Sequence, residues 1–426
     1  YGIIINSGIL YAGTTKAENC SAIGGGGNGY GEVTINGGTV TAVATTTGTA
    51  IGGGIGFHSP GGKGNVTIKG GNVYAYNHAN MWNIPSSAIG GAGSKDAAGN
   101  EGIVTITGGK VYAQSALGTA IGGGSSATKN GGGTTVTITG GHIVAKSVAV
   151  SDQLTAGAGI GGGSACTAGG TTNKNMNGGT AKIRIKGNPI IRTGSIGGGT
   201  TKSPGGFIGS ADIQIDGGDI QAQFVMAAGS GSVPTFTMTD GLIRNSDTDD
   251  LEYIHLQKNG GAVYLEDGKF TMSGGEIRQC RAEKGGAIYV KGTASTTFNM
   301  TGGAITECAA DTDGGAVYLQ GGTVNMSGGI VSHNLANNGN GGGFCIVGGD
   351  FTMDDTGAAA GNKATISENA AFSQNKTGGM GGGIYVTSAG NVDVSILSGS
   401  ITENSSDRVG GGIAVDMADN DTATAS

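Results

Sequence analysis

The densest group of side chains able to do chemistry lies in the stretch NSDTDDLEYIH, which gathers Asp247, Asp249, Asp250, Glu252 and His255. Oxygen-rich loops of this kind can ligate Ca2+, a hard cation that takes about 6–8 oxygen ligands. Two carboxylates at a set separation are also the apparatus of glycosidic bond cleavage. The stretch lacks the glycine and terminal glutamate of an EF-hand loop, so a solvated acidic turn competes with both readings. Aromatic residues supply a second possibility, because flat rings can bury the apolar face of a sugar while a phenol or indole adds a hydrogen bond. Trp82 is the only tryptophan, in the segment YNHANMWNIPSS, which is longer than the equivalent VATTTG and QSALG segments. Tyr264, Tyr289, Tyr318 and Tyr385 recur at one position of a repeated phrase, and Tyr74 and Tyr112 recur in another. The competing reading of such rows is cross-strand packing. The five cysteines form no CxxC pair, and the five histidines are scattered, so neither a zinc site nor a nucleophile–base pair can be read from spacing.

The elements that must carry these residues are set by repetition. Glycine accounts for 93 of 426 residues, far above the usual ~7%. Only five prolines occur and glycine does not fall at every third residue, which excludes collagen. Apolar residues make up 36% and alternate between the glycines as in half-buried strands, which excludes disorder. To about residue 235 the phrase is AIGGG, a variable loop, then VTITGGxVxA. The isoleucine recurs at Ile23, Ile51, Ile89, Ile121, Ile160 and Ile196. From about residue 236 the phrases become FTMSGGEIRQC and GGAVYL. A period of roughly 20–50 residues holding short strands is the signature of a solenoid.

The expected fold is all-β: a single right-handed parallel β-helix with three strands per coil and about thirteen coils at ~4.8 Å spacing. Residues 1–235 would form its first half and 236–426 its continuation. Glycines would turn the chain at the corners and let neighbouring coils approach. Alternation along FTMSGG places Phe236, Phe270, Phe298 and Phe351 in one internal stack, and Met238, Met272, Met300, Met326 and Met353 in another. By the same rule Tyr264 and its counterparts point outward. Asn334, Asn369 and Asn404 close VSHN, ISEN and ITEN and should form an amide ladder at a corner. Cys280 and Cys308 share that position in the preceding repeats and are expected in register and reduced.

Charged residues are only 12% and the net charge is −7, with basic residues scattered singly, so nucleic acid is not an expected partner. No apolar run approaches the ~18 residues of a membrane helix, and membrane insertion by this segment is not expected. Both ends read as interrupted repeats, so the chain is expected to be a fragment whose signal and anchor lie outside it. The repeats prescribe no oligomeric state.

The GGA[IV]Y and TMSGGxIxxN phrases resemble right-handed β-helix repeats of large bacterial surface proteins, including the passenger regions of polymorphic outer-membrane proteins and adhesin-like proteins of gut Firmicutes. The AIGGG and VTITGG half is similar to β-helical carbohydrate-binding surface proteins of anaerobic bacteria. The resemblance covers nearly the whole chain and implies an extracellular or cell-surface location and contact with glycans or surface proteins. A purely structural stalk is the alternative. A carbohydrate-active enzyme is the third reading, although the G-H-G and R-x-P-x-x-R phrases of pectin-degrading β-helices are absent. Its seat would be Asp247, Asp249, Asp250, Glu252 and His255. The ligand-contact candidates are Trp82, Tyr74, Tyr112, Tyr264, Tyr289, Tyr318 and Tyr385. No cofactor is expected, Ca2+ at the acidic stretch apart.

Overall fold

The computed structural model describes residues 2–14, 20–45, 48–78, 86–116, 118–148, 157–165, 176–200, 207–227, 233–245, 257–374, 377–387 and 391–416. Among these the regular structure is entirely β, with no helix. The chain divides into two compact units, Tyr1–Thr235 and Phe236–Ser426. The division falls where the repeated phrase changes.

In the first unit every strand pairs in parallel with its counterpart in the next repeat. One ladder joins Gly31–Ile35, Gly64–Ile68, Gly102–Ile106 and Thr134–Ile138 and runs on into Ala181–Gly197 and Ala211–Met226. Its register is Val33, Val66, Val104, Val136, Ile183 and Ile213. A second ladder joins Thr39–Ala44, Asn72–Asn77, Lys110–Ser115 and His142–Ser147. The isoleucines of AIGGG form a third, in very short strands. The period-2 alternation fixes the faces: Val66, Ile68, Val104 and Ile106 are fully buried while the threonines between them lie at the surface. Each buried Val or Ile contributes ~1.5–3 kcal/mol, and a one-residue slip would expose the whole set.

The triple glycines do more than turn the chain. The last residue of each xIGGG phrase is knitted to the residue two places before the next VTI strand by an unbroken run of backbone hydrogen bonds. Gly54 N–H donates to Gly29, Gly62 to Gly54, Ala92 to Gly62, Asn100 to Ala92, Gly124 to Asn100, Gly132 to Gly124, Gly163 to Gly132, Gly179 to Gly163, Gly199 to Gly179 and Gly209 to Gly199, at 2.6–3.1 Å. Backbone thus packs directly on backbone. A Cβ at Gly124 would stand 1.9 Å from the Ala92 carbonyl oxygen, and one at Gly179 1.8 Å from that of Gly132. Gly122 adds a conformational demand, with φ at +145° and its missing Cβ aimed at the Gly161 carbonyl.

The second unit uses side chains for the same purpose. Phe236, Phe270 and Phe298 stack at centroid distances of 4.4 and 4.9 Å with rings within 13° of parallel. Val324 takes the next position before Phe351, so the phenylalanine column is interrupted there. All five core methionines are buried, as expected. At one corner Cys280, Cys308, Asn334, Asn369 and Asn404 each follow a residue in the left-handed region: Gln279, Glu307, His333, Glu368 and Glu403, at φ of 52–57°. The Asn334 amide donates to the Ile305 carbonyl at 3.0 Å and to Asn369 Oδ1 at 2.9 Å, and Asn369 repeats the pattern with Val331 and Asn404. Backbone N–H groups of Cys308, Asn334 and Asn369 donate to the next amide oxygen. These bonds hold each strained residue in place; the left-handed conformation costs roughly 1–2 kcal/mol per non-glycine residue. Cys280 and Cys308 are buried free thiols, the Cys280 N–H lying 3.4 Å from Cys308 Sγ. Burial raises the Cys280 thiol pKa.

Replacing Gly124 by Ala is expected to cost about 3 kcal/mol or more, because no flexible side chain can yield to the new Cβ. Gly194→Ala, with open space around the site, should stay within about 0.5 kcal/mol of the parent. Urea unfolding of the two variants checks the contrast, and equal midpoints would refute the backbone-packing account.

Candidate functional site

Trp82 lies outside the described residues, as do Asp247, Asp249, Asp250, Glu252 and His255, the residues on which both a Ca2+ site and catalysis would rest. Among the described residues no group of three or more His, Cys, Asp or Glu is placed to hold a metal ion. No helix there is long and apolar enough to cross a membrane.

The tyrosine row of the second unit lies where alternation puts it, between the inward residues Val263 and Leu265 and their counterparts. It is not, however, the open surface expected of outward aromatic residues. Tyr289, Tyr318 and Tyr385 are only 6%, 7% and 6% exposed, and Tyr264 is half-buried. The spacing of parallel repeats, ~4.8 Å, falls within the ~4.5–7 Å centroid separation of offset-stacked rings. Tyr264 therefore lies on Tyr289 at 5.7 Å and Tyr289 on Tyr318 at 5.1 Å, tilted by 20° and 11°. Each ring takes up its neighbour's face and leaves edges to the outside. Cys345 occupies the next register position before Tyr385, and Ala414 the one after. Polar side chains close the rim: the Lys284 ammonium stands 4.8 Å from the Tyr318 centroid, Tyr289 Oη donates to Gln320 Oε1 at 2.5 Å, and Tyr385 Oη donates to Asp416 Oδ2 at 3.0 Å. Burial is the main cause that raises the pKa of all three phenols. Cys345 and Asp313 add to it at Tyr318, and Asp416 at Tyr385.

The first unit carries a group of aromatic side chains that reaches the surface. Tyr74 is 38% exposed, Tyr112 stands opposite it in register, and Tyr76 follows on the same face. Tyr76 and Tyr112 meet at 5.5 Å with a tilt of 43°, and Tyr76 stacks on the exposed His78 at 5.8 Å. The Lys146 ammonium stands 5.7 Å from the Tyr112 centroid, and Tyr112 Oη donates to Gln114 Oε1 at 2.9 Å. Neither Tyr76 nor His78 stands out in the repeat. The signal that finds them is the period-2 alternation starting from Tyr74, which puts 74, 76 and 78 on one face.

A groove on the same unit has no counterpart among the sequence candidates. It has a volume of 370 Å3 and crosses the beginnings of successive strands, where it is lined by Glu101, Thr134, Thr135, Thr180, Lys182, Ser210, Asp212 and Val233 among others. Its size lies within the ~300–1,000 Å3 of small-molecule sites. Thr135, Lys182 and Asp212 stand in register on neighbouring repeats. Asp212 is held by Arg184 and Thr235, and its carboxyl lies below the ordinary value: burial raises it, but the hydrogen bonds to Arg184 and Thr235 outweigh that. Because each repeat contributes at most three consecutive residues, no long contiguous motif announces the groove.

No protein-family model, curated protein or solved structure matches this chain.

The buried phenols give a pH prediction. A raised folded pKa contributes stability that is full below the unfolded phenol value near 10.0 and is lost as pH rises through the folded value. Spectrophotometric titration of the folded protein should therefore leave a fraction of tyrosines un-ionised at pH 11, all of which ionise in denaturant. Tyr318→Ala should remove part of that fraction and cost about 3–5 kcal/mol. Ordinary titration of every tyrosine in the folded protein would contradict the burial.

Proposed function

We propose that each unit is a right-handed parallel β-helix with three strands per coil, and that the chain is a secreted or cell-surface, adhesin-like β-helical protein that contacts glycans. Three things support the architecture: three strand sets in each repeat, in-register parallel pairing from repeat to repeat, and the strong preference of parallel crossovers for the right hand. The cell-surface location rests on the likeness of the GGA[IV]Y and TMSGGxIxxN phrases to surface-protein repeats.

The observation that carries the glycan reading is the aromatic patch of exposed Tyr74 and His78 with half-buried Tyr76 and Tyr112. Tilted rings leave part of their faces uncovered, phenol groups stand beside them, and Lys146 and Gln114 supply polar atoms at the edge. That combination suits a sugar, which has an apolar face and a hydroxylated rim. A stack of repeats presents such groups at regular spacing, which favours an extended chain over a single sugar. The second reading, a structural stalk, is favoured by the second unit, whose tyrosine row is used up in its own packing.

Glycan-array binding followed by titration with oligosaccharides of increasing length tests the proposal. The parent should bind weakly and more tightly with length, and Tyr74→Ala and Tyr112→Ala should each weaken binding by about three- to tenfold. Tyr289→Phe, altered only at a buried edge, should bind as the parent does. Absence of glycan binding, or binding indifferent to Tyr74 and Tyr112, would overturn the patch reading and leave the stalk.

A further inference from the structure

The groove across the strand beginnings of the first unit carries a charge pattern that selects among ligands. Of its charged side chains, Glu101 is paired with Lys63 at 3.2 Å, and Asp212 has one oxygen on Arg184 at 2.5 Å and the other on Thr235 at 3.0 Å. Lys182 stands exposed in register with Asp212, whose carboxyl it helps to hold ionised, and its ammonium makes no hydrogen bond or close ion pair with any described residue. The Thr134 hydroxyl is taken by the Gly102 carbonyl at 2.8 Å, whereas the hydroxyls of Thr135 and Thr180 have no such partner among the described residues. A neutralised rim therefore surrounds a single available cation flanked by available hydroxyls.

We propose that this groove binds a carboxylated oligosaccharide, with Lys182 holding a sugar carboxylate and Thr135 and Thr180 bonding neighbouring sugar hydroxyls. The proposal rests on the glycan-contact reading and names the sugar class. A single available cation suits an isolated monoanion: Glu101 and Asp212 are already paired with Lys63 and Arg184, and the lining holds no second cation to meet a dianionic phosphate or a run of closely spaced charges. Charge-assisted hydrogen bonds give the ammonium–carboxylate contact its strength. An acidic peptide fits less well. Thr134–Ile138 is hydrogen-bonded on both sides, to Gly102–Ile106 and to Ala181–Gly197, so no strand edge is open there for a peptide to extend. The groove crosses consecutive repeats in the direction of stacking, which suits a chain of sugars.

The test is calorimetric titration of the whole chain with a galacturonate trisaccharide, its methyl ester and an acidic peptide of equal charge. The trisaccharide should bind and the ester should not. Lys182→Met should weaken binding at least about tenfold, Lys182→Arg should largely retain it, and Tyr289→Phe should leave it unchanged, with thermal melts showing that each variant is folded. Equal binding of the ester, tighter binding of the peptide, or an unaffected Lys182→Met variant would overturn the proposal. Neutral oligosaccharides that bind through Tyr112 while the trisaccharide does not would overturn it and spare the glycan reading. Failure of every sugar to bind would overturn both.

Discussion

The first unit depends on one contact: backbone packed against backbone along the column from Gly29 to Gly209. Every peptide group in the column donates toward the N-terminal repeats and accepts from the C-terminal ones, so the bonds share one polarity and reinforce one another. Singly each contributes only ~1 kcal/mol net. Together they let two segments of each repeat approach so closely that most positions of the column are glycine. That closeness explains the composition, because a Cβ in the column meets a carbonyl rather than a movable side chain. Ala92 and Asn100 are the exceptions that locate the rule, standing where glycine stands in the neighbouring repeats.

The second unit solves the same stacking problem with side chains, and that choice sets what its surface can offer. Phenylalanine, methionine, asparagine and tyrosine each repeat at the interval of the stacked strands, and each stacks on its own kind except where Val324 and Cys345 interrupt the phenylalanine and tyrosine columns. An amide gains from this arrangement, since its oxygen accepts two N–H bonds from the repeat before while its NH2 reaches a carbonyl and the next amide. A tyrosine gains packing and loses its free face. In the first unit Tyr76 and Tyr112 belong to neighbouring register rows rather than one, so they meet at a tilt and stay partly open. A one-row offset thus separates a structural aromatic from one available to a ligand.

Much of the fold was legible in the sequence because the repeats spell out strand period and register together. The phenylalanine and methionine columns, the asparagine corner and the inward valines and isoleucines all follow from alternation, and Val324 was the unforeseen gap. The glycine column was only half legible: close approach of repeats could be anticipated, but the specific backbone contacts could not, since glycine carries no side chain to reveal which partner it faces. Tyrosine burial escaped because alternation gives the face of a residue and not what covers it. The groove and the role of Lys182 escaped for a different reason. Lys182 and Arg184 look alike in AKIRIKGNPIIR, and only Arg184 hydrogen-bonds Asp212.

Amide hydrogen exchange measured residue by residue in solution bears most directly on the glycine column. If backbone packing holds the first unit together, the N–H groups of Gly62, Gly124, Gly132, Gly163 and Gly179 should exchange as slowly as those of the buried Val66 and Val104, at rates set by global unfolding. Exchange of those glycines at loop-like rates, with the valines still protected, would mean that the glycine runs are merely connections and that the account of the fold is wrong.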